Sequence, residues 1–182
     1  MTQSQTHFEL FNLPVSFEVE LKDLSQRYRD LQRVAHPDRF TNASDQEKML
    51  SMQQATTIND AYQILKSPQK RARYMLELQS VSFDDEKDTA LDPMFLMEQI
   101  ELRESLEDLG QGSDAMGNLN KIMVDIKNRI TSVVAEIKQL LENPKLSDEQ
   151  KTQAKQSVHK MQFLNKLQEE AEYQEERLLD TI

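Results

Sequence analysis

Between Leu119 and Leu141 the apolar residues recur at intervals of three and four. They are Leu119, Ile122, Met123, Ile126, Ile130, Val133, Ile137, Leu140 and Leu141. In a strand that spacing would scatter them over both faces; in a helix it gathers them on one stripe. A long helix with a single apolar stripe must lay that stripe against other helices. Composition extends the constraint to the whole chain. Good helix formers dominate, and 182 residues contain only 3 Gly and 5 Pro. The chain is therefore expected to be all-α.

The few breakers then set the element boundaries. "THFELFNLP" offers one or two helical turns ahead of Pro14. A second helix is expected from Glu20 to Ala35, with Leu24, Tyr28, Leu31 and Ala35 on its buried stripe. Lys22, Arg29 and Arg33 fall on another face of it. Pro37 disfavours helical geometry at His36 and ends the helix there. Ser44 and Glu47 have capping-box spacing and open a third helix, with Ala55, Ile58, Tyr62 and Leu65 as its stripe. Ser67-Pro68 is a cap followed by proline, starting a fourth helix that runs to about Leu78.

"QSVSFDDEKDTAL" is acidic and polar and reads as a linker. Asp92-Pro93 starts another helix, expected to reach about Leu109. All three glycines lie between Gly110 and Gly117, marking a loop before the long stripe. Pro144 ends that helix. Ser147 and Gln150 form a further capping box, and Ala154, Val158, Met161, Leu164, Leu167 and Ala171 carry the last helix to about Leu179. The expected organisation is a helical unit over 1–78, a linker over 79–92 and an antiparallel three-helix bundle over 93–182.

Several function classes are disfavoured. The net charge of -10 argues against generic binding to nucleic acid or anionic membrane. No apolar run is long enough for a membrane span, and the N-terminus lacks the regions of a signal peptide, so a cytoplasmic location is expected. There is no cysteine, and His7, His36 and His159 are isolated, so neither a metal site nor a cofactor is expected. His36 with Asp38 as an acid/base pair would need a pocket that shifts its protonation. No phosphate loop or nucleophile motif is present, so an enzyme is not expected.

The stretch "VAHPDRF", Val34 to Phe40, allows two readings. As local structure it is a turn, with Pro37 breaking the helix and Asp38 bonding nearby backbone. Its context supplies the other. It follows a helix with a basic face and precedes "AYQILKSPQKRARY" at residues 61–74. With "HFELFNLP" upstream, residues 7–78 resemble a J-domain. "FLMEQIELRESLEDL" at 95–109 and "FLNKL" at 163–167 resemble the C-terminal domain of HscB-type co-chaperones. Such proteins work with an ATP-driven chaperone of the HscA type and the iron–sulfur scaffold protein IscU. The resemblance implies that His36, Pro37 and Asp38 face the chaperone, and that Lys22, Arg29 and Arg33 dock on its acidic surface. Arg39 stands where many relatives carry lysine, a change that keeps the charge but alters the geometry.

Residues 95–109 hold a second candidate surface. At about 100° per residue, Phe95, Leu102, Leu106 and Leu109 fall in one narrow sector. Leu96, Met97 and Ile100 lie a quarter to half a turn away, with Glu101, Glu104 and Asp108 beside them. Spacing alone fits either a wide core face touching two neighbours or a partner surface rimmed by carboxylates. The resemblance implies the latter, a scaffold-binding face. Phe163 lies off the stripe set by Met161, Leu164 and Leu167 and is expected to flank it.

Overall fold

A computed structural model describes residues 5–35, 44–84, 93–108 and 114–180. Among these residues all regular structure is helical. The elements are α1 (His7–Leu10), α2 (Leu21–Ala35), α3 (Asp45–Lys66), α4 (Pro68–Leu78), α5 (Pro93–Glu107), α6 (Ala115–Leu141) and α7 (Asp148–Leu179). The chain divides into two compact units, Met1–Met75 and Leu76–Ile182. No helix of the described residues is long and apolar enough to cross a membrane.

In the first unit, α1 is short but closed at both ends. The Thr6 hydroxyl accepts from the Glu9 N–H while the Glu9 carboxylate accepts from the Thr6 N–H, a reciprocal cap. The helix ends at Leu10 with Phe11 as its C-cap, ahead of Pro14. Asn12 takes a left-handed conformation (φ 51°) that sends its N–H to the Glu9 carbonyl and the Leu13 N–H to the Phe8 carbonyl. Asparagine tolerates this backbone better than most residues.

Helices α2 and α3 form an antiparallel hairpin whose register can be read from its polar contacts. Ser25 meets Tyr62 (3.1 Å), Tyr28 donates to Asn59 (2.6 Å), Gln32 donates to Asn59 (2.8 Å), and Ser51 donates to the Ala35 carbonyl (2.8 Å). Tyr28 and Tyr62 stack at 4.2 Å. Phe8, Phe11, Phe17, Leu24, Ile58, Ala61 and Leu65 are buried in this unit. Tyr74 of α4 stacks on His7 and accepts the His7 N–H, holding α1. Arg71 is buried over the Phe17 ring and donates to the Leu65 carbonyl; burial lowers its pKa from the usual guanidinium value.

In the second unit α6 and α7 pair along their length. Leu119, Ile126, Val133, Ile137 and Leu141 are buried on α6, as are Ala154, Val158, Met161, Leu164, Leu167 and Ala171 on α7. The Ser147–Gln150 capping box forms as expected, and Asp114 caps α6 by accepting from the Gly117 N–H. Helix α5 packs on both, through Leu102 and Leu106. It runs parallel to α7, because Phe95 pairs with Phe163 and Arg103 with Glu170 further along both helices.

The stretch that follows α4 is anchored at its beginning. Ser80 is left-handed (φ 64°) and closes α4 as Asn12 closes α1. The Gln79 side chain accepts the Leu146 N–H, and Phe83 lies against His159 with Lys155 over its ring.

Candidate functional site

Helix α2 sorts its cations into two kinds. Lys22, Arg29 and Arg33 are exposed on the side away from α3. Arg29 donates to Gln26, and Arg33 lies 3.6 Å from Asp30. Exposed pairs of this sort contribute about 0–1 kcal/mol, little enough for a partner's carboxylates to displace them. Arg27 is committed inside the unit. It bonds Asp23 (2.9 Å) and the carbonyls of Phe11 and Asn12, so it caps the end of α1.

Ser51 performs the equivalent task for α2. Its buried hydroxyl donates to the carbonyl of Ala35, the last residue of α2. That bond fixes where the chain leaves the helix toward His36. His36, Pro37, Asp38 and Arg39 lie outside the described residues.

On α5 the two sectors expected from the helical wheel separate. Leu102 and Leu106 are buried and Phe95 is half-buried. Leu96, Met97 and Ile100 are 50%, 63% and 49% exposed. Glu101, Glu104 and Asp108 are exposed as well. Met94, which the wheel did not single out, is 82% exposed and extends the apolar area by one turn. Phe163 is half-buried on α7 and meets the Phe95 ring edge-on at 5.7 Å. It therefore sits at the margin of the exposed face, not at its centre.

The outer face of α5 is graded along its length, apolar over its first two turns and acidic over its last two. Glu104, Glu107 and Asp108 stand at the C-terminal end, where the helix dipole disfavours negative charge by about 0.3–1 kcal/mol each.

Sequence reasoning missed Glu98. Its carboxylate is half-buried between two helices and receives Arg129 of α6 and Lys160 of α7, the latter at 3.3 Å. Arg129 also bonds Asp125 (2.7 Å). That hydrogen bond, with the charges of Asp125 and Glu98, raises the Arg129 pKa against the opposing effect of burial. Lys160 lies over the Phe95 ring as well. This polar clamp holds the first half of α5, directly behind the exposed apolar residues. A signal was present: Glu98 follows Phe95 by three and precedes Leu102 by four, a carboxylate in the buried sector that requires a cation.

Comparison with known proteins agrees with this two-unit organisation. A family model described as the DnaJ domain matches residues 6–74, and one described as the HSCB C-terminal oligomerisation domain matches residues 91–172. The "Co-chaperone protein HscB homolog" of Vibrio vulnificus is 43% identical over 172 residues, covering 94% of this chain and 98% of that protein. The chain belongs to the HscB co-chaperone family. The homologous protein of Aliivibrio salmonicida is 44% identical over 173 residues, covering 95% of this chain and 98% of that protein. Among solved structures, chaperone HscB from Vibrio cholerae superposes with a TM-score of 0.87 at 39% identity, covering 95% of this chain and 99% of that one. The human co-chaperone protein HscB superposes with a TM-score of 0.83 at 28% identity, covering 96% and 84%. In these terms the DnaJ match spans α1 to most of α4, and the HscB C-terminal match spans α5, α6 and most of α7.

Proposed function

We propose that this HscB-family protein stimulates the ATPase of an HscA-type chaperone and delivers an IscU-type iron–sulfur scaffold to it, in the cytoplasm. The first unit triggers the chaperone through His36, Pro37 and Asp38, with Lys22, Arg29, Arg33 and Arg39 orienting the encounter. Charges at such an interface chiefly raise association rate and fix orientation. The second unit holds the scaffold on Leu96, Met97, Ile100 and Phe163, rimmed by Glu101, Glu104 and Asp108. No residue of this chain performs bond chemistry in this role, and no cofactor is required.

One observation carries the reading. Leu96, Met97 and Ile100 share a short helix with buried Leu102 and Leu106, yet remain about half exposed or more. Exposed apolar clusters rimmed by charge mark partner surfaces. Half-burial leaves each of the three roughly 1 kcal/mol to gain on docking, from about 1.5–3 kcal/mol for full burial. Together they supply only roughly 3 kcal/mol against an association cost of about 4–15 kcal/mol, so Phe163 and the charged rim must contribute as well and the complex is a transient one. Cargo that must be handed over calls for such a complex. Placing both surfaces on one chain raises the effective concentration of scaffold near chaperone.

The test separates the two surfaces. His36→Gln is expected to abolish ATPase stimulation and leave scaffold binding intact. Leu96→Ala with Phe163→Ala is expected to do the reverse. Loss of both activities by either variant, with the fold intact, refutes the two-surface reading.

A further inference from the structure

The α2–α3 hairpin carries exposed apolar side chains that neither its own packing nor the basic stripe accounts for. Met49, Leu50 and Met52 of α3 are 54%, 48% and 60% exposed, and Val34 of α2 is 64% exposed. All four cluster at one end. Ser51 is clasped to Ala35, so Leu50 and Met52 flank one side of that clasp and Val34 is the residue before it. The hairpin register places Val34 level with Met52, and Met49 and Leu50 lie within the same turn of α3. The rest of α3 is ordinary: Ser51, Ile58, Ala61 and Leu65 are buried, and its other described exposed positions are polar or charged. The surplus is thus a collar around one end of the hairpin.

We infer that this collar is a second part of the chaperone-binding surface, an apolar grip beside the basic stripe. The inference rests on the chaperone reading proposed above. Two observations choose the occupant. Consecutive Cα atoms are at most about 3.8 Å apart, so Val34 lies within two residues' reach of His36, and the Ser51 clasp ties Leu50 and Met52 to the residue before His36. A protein that touches His36 comes within side-chain reach of the collar. Charge supplies the other. Arg33 adjoins Val34, with Arg29 one turn back and Lys22 two turns further, all exposed. The matching surface is acidic and offers an apolar recess beside its acidic residues. An uncharged apolar surface would match the collar but gain nothing from the stripe. Methionine suits such a grip, since its flexible thioether moulds to a recess.

The methionines also report on the collar. Met49 and Met52 form one exposed pair three residues apart, and Met94 and Met97 form another on α5. Brief peroxide oxidation of the full-length protein, read by mass spectrometry, labels both pairs. Addition of the HscA-type chaperone with ATP is expected to slow oxidation of Met49 and Met52 at least threefold. The IscU-type scaffold alone is expected to slow Met94 and Met97 and leave Met49 and Met52 unchanged. Met49→Gln with Met52→Gln is expected to raise the protein concentration needed for half-maximal ATPase stimulation roughly tenfold, equivalent to about 1.4 kcal/mol, with unchanged helix content. Stimulation with Met49 and Met52 unprotected and the Gln variant fully potent overturns the collar and leaves the proposed function standing. Absence of any stimulation by the parent protein removes the chaperone reading, and the collar with it. Protection that rises with the concentration of this protein alone assigns the collar to self-association and overturns the inference.

Discussion

Replacing Leu96 and Ile100 together by alanine separates a docking surface from a core. Both side chains are about half exposed in the free protein. Full burial of a large aliphatic side chain is worth about 1.5–3 kcal/mol, so docking leaves each of them about 0.8–1.5 kcal/mol to gain. The pair then loses about 1.5–3 kcal/mol of scaffold affinity, a ten- to hundredfold rise in Kd. Stability responds differently. The packing that the two side chains give up inside the free bundle is offset in part by the higher helix propensity of alanine, so unfolding free energy falls by less than about 1 kcal/mol. Leu102→Ala on the same helix is the control: its side chain is buried, and its removal costs about 2–5 kcal/mol of stability. Calorimetric titration with an IscU-type scaffold and urea unfolding of the full chain read both quantities. A double variant that loses more than about 2 kcal/mol of stability, or binds scaffold within threefold of the parent, would refute the assignment of these side chains to a partner.

Three further outcomes follow from local geometry. A double-mutant cycle on Glu98→Gln and Arg129→Gln should give a coupling of about 1 kcal/mol in urea unfolding, between the values of exposed pairs and of charged hydrogen bonds; zero coupling would remove the clamp. Ser51→Ala leaves the Ala35 carbonyl without its donor and should cost about 1–2 kcal/mol, with weaker ATPase stimulation and unchanged scaffold affinity; equal loss of both activities would contradict a local role. The Glu47 carboxyl is held below its ordinary value by the Ser44 hydroxyl and N–H, and the Glu9 carboxyl by the Thr6 N–H and hydroxyl. Lowered folded-state pKa values mean that the caps add stability fully above the unfolded value of 4.5, lost as pH falls through the lowered folded values. The first turns of α1 and α3 should therefore loosen in acid, followed by amide NMR titration, and Glu47→Gln should remove that dependence from α3.

What the sequence made legible was whatever is local. The Ser44–Glu47 and Ser147–Gln150 caps involve groups three residues apart, so residue order alone reveals them. The stripes of α6 and α7 follow from helical period, as do the two sectors of α5. Thr6 and Glu9 carry the same capping signal, but the helix they open is only four residues long, too short for a periodic stripe to support it. The rest depends on partners distant in sequence. Arg27 looks like one more cation on α2; only the folded chain brings the α1 carbonyls to it. Glu98 announces a need for cations, but Arg129 is 31 residues away and Lys160 lies on a third helix. The exposure of Met49, Leu50 and Met52 was equally hidden, since whether apolar residues at the start of a helix are covered depends on its register against α2.

The clamp and the exposed face of α5 explain each other. A helix in a three-helix bundle is ordinarily held by its apolar stripe, as α6 and α7 are by theirs. Helix α5 turns Met94, Leu96, Met97 and Ile100 outward, which leaves Leu102 and Leu106 as its buried anchors, both in its second half. Its first half, where the apolar surplus faces solvent, would be the part to drift. Glu98 stands in that half, and its two cations come from the two helices on which α5 rests. A polar clamp fixes position without drawing the apolar residues inward, as an added leucine would. It also keeps Phe95 and Phe163 edge to face at the margin of the exposed surface. If this face docks a partner as proposed, it must stay exposed in the free protein and still present one geometry, and the Glu98 network is a fixation that is not itself apolar.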